Sequence, residues 1–340
     1  MSNVWVTGGE GFLGLNLIKR LVIEGHHVVS FDNRSTSDPG ARLLITADEP
    51  RMTDVVWIPG DVADIENCWR GDTQEYSTVP DAIFHLACPA SPPRYQRDPI
   101  ATLRTCFEGS LAVFRLAASL GQIPVVLAST SEVYGERHGI MREDDMSNVR
   151  CNGIRSCYDV GKMAGEALAR EFPCVRVARI FNAYGPYMDP DDGRMIPNFV
   201  CQLLRRHALT IYGGGQQTRS LAYVDDTIDG LMRLWRFQPG PDGDRTFNIG
   251  SETERTVTDV AELVRHVGVS MGHAYVDVNS RHAMPEDDPP ARRPSTRLAQ
   301  LRLGWEPRIG INQGLAKTIA YFERRLGLGM SSPRAIVDAC

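Results

Sequence analysis

The sequence predicts an α/β protein, a doubly wound parallel sheet with a smaller C-terminal lobe, and three observations carry that expectation. Short apolar runs at residues 4–7, 27–31, 55–58, 82–86, 125–129 and 175–180 read as buried strands. Stretches with helical spacing at 13–24, 100–120 and 158–171 fall between them, the alternation that parallel sheets require. Glycines crowd the turn after the first run, and an aspartate, Asp32, closes the second. Together these features define a Rossmann-type core.

The 340 residues, 42% of them hydrophobic, suffice for a large α/β unit or two closely packed domains. We expect residues 1–181 to form the dinucleotide-binding core. After about Asn182 the pattern changes. Gly185-Pro186, the run 189–193 and the triplet 213–215 are loop signals around one clear helix near 196–206. Residues 182–330 are therefore expected to form mainly a substrate lobe. Within it, 221–235 reads as a helix and 247–250 as a strand that rejoins the sheet. Residues 284–294, rich in Pro, Asp and Arg, read as an irregular loop, and 331–340 as a disordered tail.

A net charge of −5 and a pI near 5.9 offer no general attraction for nucleic acid or an anionic membrane. No apolar run approaches the roughly 20 residues of a membrane helix. The start at Asn3-Val4-Trp5 enters a strand pattern directly, without a secretory leader. The eight cysteines include no C-x-x-C pair and read as reduced thiols rather than metal ligands. A cytoplasmic location and no metal are the expectations.

Gly8, Gly11 and Gly14 lie in a G-x-x-G-x-x-G turn between the first strand and the first helix, followed there by Phe12 and Leu13. Glycine permits the tight turn and a close approach to a pyrophosphate, and the helix presents free N–H groups to the anion. Eighteen residues beyond Gly14, the Asp32 carboxylate is suited to ribose hydroxyls and repels a 2′-phosphate, which favours NAD over NADP although Arg34 stands nearby. Asp61-Val62, after the third strand, is expected beside the adenine, with Asp61 also suited to cap a helix.

Tyr158 and Lys162 are four apart and share one helix face. A positive charge near a phenol favours phenolate, so the pair suits proton removal from a hydroxyl that loses hydride to NAD. The stretch 128–135, Ala-Ser-Thr-Ser-Glu-Val-Tyr-Gly, ends a strand where open α/β sheets bind ligands.

Four segments together resemble the extended short-chain dehydrogenases acting on nucleotide sugars, and among them the UDP-glucuronate decarboxylases, or UDP-xylose synthases. They are ACPASPPRY at 87–95, ASTSEVYG at 128–135, CYDVGK at 157–162 and IYGGGQQTRS at 211–220. The likeness spans about residues 3–325. It implies Thr130 as the hydroxyl orienting the sugar, Tyr158 as base and Lys162 as its partner, with Ser131 and Glu132 facing sugar carbons 5 and 6. Asn33 and Ala87 join the implied cofactor set. Pro92, Arg94, Tyr95, Asn182, Arg194, Asn198, Tyr212, Gln217 and Arg219 form the implied substrate set, and Arg292 approaches the sugar and diphosphate. Asn198 and Tyr212 also suit simple packing of the lobe.

The reaction implied is oxidation of UDP-glucuronate at carbon 4, loss of the carboxylate as carbon dioxide, and return of the hydride to give UDP-xylose. A homodimer sharing the 100–120 and 158–171 helices is implied as well. Two positions depart from the family. Cys106 stands where asparagine is usual, which disturbs a water near the lysine, and Arg94 replaces a smaller residue, which alters the fit around the sugar. Three rival readings exist. A 4,6-dehydratase requires a carboxylic acid where Ser131 stands, and serine is too weak an acid to protonate a leaving hydroxyl. A uronate 4-epimerase needs the same redox residues but keeps the carboxylate. A non-catalytic NAD sensor would not need Tyr158 and Lys162.

Overall fold

The computed structural model describes residues 1–70, 78–240, 243–283 and 289–328. Seven strands form one parallel sheet: β1 (Asn3–Thr7), β2 (His27–Asp32), β3 (Val56–Pro59), β4 (Ala82–His85), β5 (Val125–Thr130), β6 (Val175–Ile180) and β7 (Thr246–Ile249). Their spatial order is β7-β6-β5-β4-β1-β2-β3, every pairing parallel. The chain reverses direction between β1 and β4, and ligands bind such sheets outside the strand ends at that switch point. β5 is buried at all six positions, which is why it reads as continuous apolar sequence rather than an alternation.

Both faces of the sheet are covered. Helix α1 (Phe12–Ile23) follows the glycine turn, and α2 (Pro39–Asp48) is capped by Asp38, whose carboxylate accepts from Gly40 N at 2.9 Å. The sequence expected one helix over 100–120. The structure instead has α3 (Pro99–Arg104), a π-helical segment (Thr105–Gly109) and α4 (Ser110–Ser119). Here the wide turn seats Gly109 on Val62, where a Cβ would lie 2.5 Å from Val62 Cγ1. Helix α5 (Ser156–Glu171) carries the Tyr158–Lys162 pair, starting two residues before the expected boundary.

Beyond β6 the chain forms α6 (Met195–Leu204), α7 (Val224–Arg236), α8 (Val257–Ser270) and α9 (Ile311–Arg325). The helix expected from 221 begins only at Val224, because Ala222–Tyr223 pairs as a short strand with Ala183–Tyr184. β7 rejoins the sheet as expected. One buried cluster contains Val6 and Phe84 from the N-terminal half together with Phe199, Val264 and Phe322 from the rest, so the two parts share a core. Arg324 and Arg325 fork onto Asp48 and Asp38, each through two bonds of 2.7–3.0 Å, and fasten α9 to α2. Of the expected 284–294 loop, 284–288 lies outside the described residues. Arg293–Pro294 is a strand paired with Ile140–Met141. The 331–340 tail also lies outside them. Among the described residues no helix is long and apolar enough to cross a membrane, and no cluster of three metal-ligating side chains is found.

A partly buried polar network fixes α5 to the sheet. Glu166 accepts from Ser129 Oγ of β5 at 2.5 Å and from Arg179 of β6 through Nε and Nη2 at 3.0 and 2.7 Å. Arg179 Nη1 also donates to Tyr134 Oη and to the Glu143 carbonyl. Removing one member strands the other charge in the interior, which costs about 3–5 kcal/mol. Glu166→Ala is therefore expected to lower unfolding free energy by about 3 kcal/mol in urea titration, with a fall below about 1 kcal/mol contradicting the clamp.

Candidate active site

Each catalytic candidate is placed by an element already described. Thr130 ends β5, and Ser131–Tyr134 turns immediately after it, with Glu132 N donating to Thr130 Oγ1 at 3.3 Å. On α5, residues 158, 162 and 166 share one face turned to the end of β5. Lys162 Nζ donates to the Ala128 carbonyl at 2.8 Å and lies 5.8 Å from the centre of the Tyr158 ring. Tyr158 is hydrogen-bonded to the Thr130 side chain and stacked under Tyr95, ring centres 4.9 Å apart at an interplanar angle of 9°.

The sequence argument expected Lys162 to draw the Tyr158 pKa down. In this chain burial dominates and holds the phenol well above its ordinary value, the Thr130 hydrogen bond opposing the rise. Lys162 spends one proton on the Ala128 carbonyl, so its role in the protein alone is first positional.

Glu132 behaves oppositely. Burial resists its charge, but Arg292 Nη2 at 2.8 Å and Arg155 Nη2 at 2.9 Å outweigh that and hold its carboxyl at about 2. Arg292 is itself buried and also donates to the Gly135 carbonyl at 2.8 Å. The short pairing of Arg293–Pro294 with Ile140–Met141 brings that distant segment to the end of β5. Glu132, Arg155 and Arg292 line one cavity together with Asn148, Ser156 and Asp159. Arg155 was not anticipated, although its place three residues before Tyr158 on the helix was a usable signal.

A second cavity runs along the strand ends. Gly8, Gly11, Phe12, Leu13, Gly14, Asp32, Asn33, Val62, Ala87, Tyr158 and Lys162 all line it. Asp61 does not. It caps the turn at Ala63 N at 3.0 Å and accepts from Asn33 Nδ2 at 3.0 Å, as the capping role requires. Ser131 is buried and lines neither cavity.

The substrate candidates divide. Arg194 and Arg94 line the cavity at the strand ends, Arg194 paired with Asp192 and Arg94 tied to Asp189 and to the Thr36 carbonyl at 2.7 Å. Arg94, expected against the sugar, lines the same cavity as Tyr158 and Lys162. Pro92 and Tyr95 begin and end a short helical turn, which sets Tyr95 over Tyr158. Asn182, Asn198, Tyr212, Gln217 and Arg219 line neither cavity. Asn198 and Gln217 donate to the Gly193 and Tyr212 carbonyls, Arg219 Nη1 to that of Thr218, and Tyr212 is exposed. Yet Asn182 Nδ2, Gln217 Oε1 and Tyr95 Oη are buried without a protein hydrogen-bond partner among the described residues, which suits groups that await a ligand.

Residues 4–250 match the model of the NAD dependent epimerase/dehydratase family. The chain belongs to that family. It is 39% identical over 336 residues to UDP-glucuronic acid decarboxylase 1 of Danio rerio, covering 96% of this chain and 73% of that protein. Likeness to UDP-glucuronic acid decarboxylase 4 of Arabidopsis thaliana is 38% over 335 residues, 95% of this chain and 69% of the relative. Among solved structures, UDP-glucose 4-epimerase of Thermotoga maritima superposes with a TM-score of 0.80 at 26% identity, covering 95% of this chain and 99% of that one. MoeE5, solved with UDP-glucuronic acid and NAD, gives 0.75 at 28% with the same coverage.

The glycine turn fits the family's NAD. A Cβ on Gly14 would lie 2.3 Å from the Gly8 carbonyl oxygen, and one on Gly8, whose φ is +70°, would meet the Ala87 backbone at 2.7 Å. Only glycine keeps this cradle closed. The Asp32 carboxylate is oriented by Glu10 N at 2.9 Å and Arg34 N at 2.7 Å, leaving lone pairs for ribose hydroxyls. Glu10, buried and unanticipated, binds Arg34 at 2.7 Å and Arg42 at 2.9 Å. The arginine that could have welcomed a 2′-phosphate is thereby neutralised, which reinforces the NAD preference of an epimerase/dehydratase family member with this turn.

The ion triad predicts a pH effect. The Glu132 carboxyl is held at about 2 in the folded chain against 4.5 in the unfolded one, so its stabilisation is complete above 4.5 and fades as pH falls toward 2. In Glu132→Gln that part of the acid-side loss is expected to vanish. Urea unfolding at a series of acidic pH values checks it, and parallel curves for the two proteins would refute the coupling.

Proposed function

We propose that this chain is an NAD-dependent UDP-glucuronate decarboxylase, forming UDP-xylose. The observation that carries the reading is 36–39% identity over 94–96% of the chain to a series of UDP-glucuronic acid decarboxylases, whereas the solved epimerases match at lower identity. Ser131 between Thr130 and Glu132 supports it, since dehydration needs a carboxylic acid at that position.

The chemistry divides among the chain's own groups. Thr130 orients the carbon 4 hydroxyl and Tyr158, in its deprotonated form, takes the proton, Lys162 fixing the helix that carries the phenol and favouring the phenolate by its charge. Bound NAD supplies the hydride acceptor and later the hydride donor. A ketone at carbon 4 lies β to the carboxylate, so the C–C bond electrons pass into that ketone as carbon dioxide leaves. Protonation at carbon 5 and return of hydride and proton at carbon 4 complete the sequence, with Tyr158 now the acid. Arg155 and Arg292 are the cations suited to an anionic sugar, and Glu132 keeps them oriented. Ser131 is assigned to the carboxylate side of the sugar, and Asn182, Asn198, Tyr212, Gln217 and Arg219 to the nucleotide.

A homodimer is part of the proposal. Ile100, Leu103 and Phe107 form an exposed apolar stripe at i, i+3 and i+7 on the segment joining α3 to the π-helical turn, beside α5. The free thiols Cys88, Cys106, Cys151, Cys157, Cys174 and Cys201 suit a reducing, cytoplasmic setting. Residues 1–181 serve as the cofactor core and 182–330 mainly as the substrate lobe.

Purified protein with UDP-glucuronate is expected to release carbon dioxide and UDP-xylose without net NADH accumulation. Failure to release carbon dioxide, with dehydration of a neutral nucleotide hexose instead, would overturn the reading. Tyr158→Phe should keep the fold and NAD binding while turnover drops by about two to four orders of magnitude. Near wild-type turnover would remove Tyr158 from the chemistry. Phe107→Glu should shift the solution mass by light scattering from dimer to monomer, and a wild-type monomer would disprove the shared helix face.

A further inference from the structure

Two thiols lie beside the catalytic pair, Cys88 lining the cavity at the strand ends and Cys106 packed against Gly161, and the reaction uses neither. Cys88 follows β4 in the turn that lines the cofactor channel, and Cys106 sits in the π-helical segment packed on α5. Their sulfurs are 3.2 Å apart. Cys106 is buried against Gly161, where a Cβ would come within 3.1 Å of its sulfur, one residue before Lys162. Cys88 is half-buried and faces the open channel. A third thiol, Cys157, donates to the Tyr95 carbonyl on the other side of Tyr158.

We propose that Cys88 and Cys106 form an oxidisable pair, a modification site at which a hydroperoxide closes a disulfide beside Lys162 and Tyr158 and suppresses turnover. The geometry divides the roles. Cys88 is open to a small oxidant through the cofactor channel, whereas Cys106 is enclosed and within reach only of Cys88. The Cys106 hydrogen bond holds the Cys88 thiol below its ordinary pKa and the Lys162 charge adds to this, so Cys88 is the sulfur that reacts first. Its thiolate attacks one oxygen of hydrogen peroxide, the O–O bond breaks, and the leaving hydroxide takes up the proton that Cys88 gave up, so that Cys88 sulfenic acid and one water result. The Cys106 thiol then attacks that sulfur, the S–O bond breaks and a second water leaves. Over both steps the two sulfurs lose two electrons and the peroxide gains them.

Closing the bond draws the sulfurs from 3.2 Å to about 2.0 Å. That approach of about 1 Å is shared between the two side chains and the segments that carry them, and a displacement of this size at a positioned catalytic group costs on the order of a hundredfold in rate. Part of that movement bears on Gly161, and so on the adjoining Lys162.

The inference rests on Tyr158 and Lys162 being the reacting pair, but its chemical half does not. Purified protein is treated with hydrogen peroxide, its free thiols are alkylated, and the peptides are mapped by mass. The expected result is a Cys88–Cys106 cross-linked peptide that appears as turnover falls by about a hundredfold, with both changes reversed by dithiothreitol. In Cys106→Ser, compared with its own untreated state, peroxide should leave turnover within about twofold, since no cross-link can form. Thermal unfolding checks that this variant is folded, and Cys106→Ala repeats the comparison. Absence of the cross-link, or a cross-link through Cys157 instead, overturns the pairing. Formation of the disulfide with turnover unchanged overturns its effect on catalysis, and equal inactivation of Cys106→Ser assigns the loss to another site and also overturns the proposal. If untreated protein has no decarboxylase activity, the peptide map still decides the pairing, so failure of the functional reading is distinguishable.

Discussion

The site depends above all on how one face of α5 is held against the ends of β5 and β6. Lys162 reaches the Ala128 carbonyl, and one turn later Glu166 gathers Ser129 and Arg179. Three consecutive turns, at 158, 162 and 166, are thereby fixed to adjoining residues of the sheet. A phenol carried on such a helix has little freedom to wander, and positioning of this kind is a large share of what a catalytic group needs. The network is charged and partly buried, so its contribution is chiefly to a unique geometry and its disruption is costly.

Around that anchor the protein arranges charge in two ways. In the cofactor channel a carboxylate, Asp32, is left able to accept hydrogen bonds, while Glu10 absorbs the nearby cations Arg34 and Arg42. At the far end the balance is reversed, with two arginines converging on one glutamate. The cavity there sets Arg150, Arg155 and Arg292 against Glu132, Glu136 and Asp159, while the glycine turn offers only neutral N–H groups. The same chain thus handles two anionic partners by different physics, through backbone dipoles at one end and guanidinium forks at the other.

Cys106 shows how a departure from a family pattern acquires meaning only in three dimensions. In sequence it is a departure within the helix expected over 100–120. In the fold it lies in a π-helical turn, where it packs on Gly161 and meets Cys88 from a segment eighteen residues away. Two individually unremarkable thiols become a pair because the wide turn and the glycine together bring the helices close.

The sequence by itself determined the sheet, the glycine cradle, Asp32 and the Tyr158–Lys162 pair, because each is a local matter: strand apolarity, turn chemistry and helical spacing act over a few residues. Its boundaries erred where neighbours intervened, as at the π-helical turn that accommodates Val62 and at Ala222–Tyr223, which pairs with Ala183–Tyr184. Tertiary structure alone decided the rest. The pairing of Arg293–Pro294 with Ile140–Met141 seats Arg292 on Glu132, 160 residues away, and burial rather than the lysine sets the affinity of Tyr158 for its proton. Contacts between distant segments and the loss of water around a side chain depend on the packing of the whole chain, which local spacing does not encode.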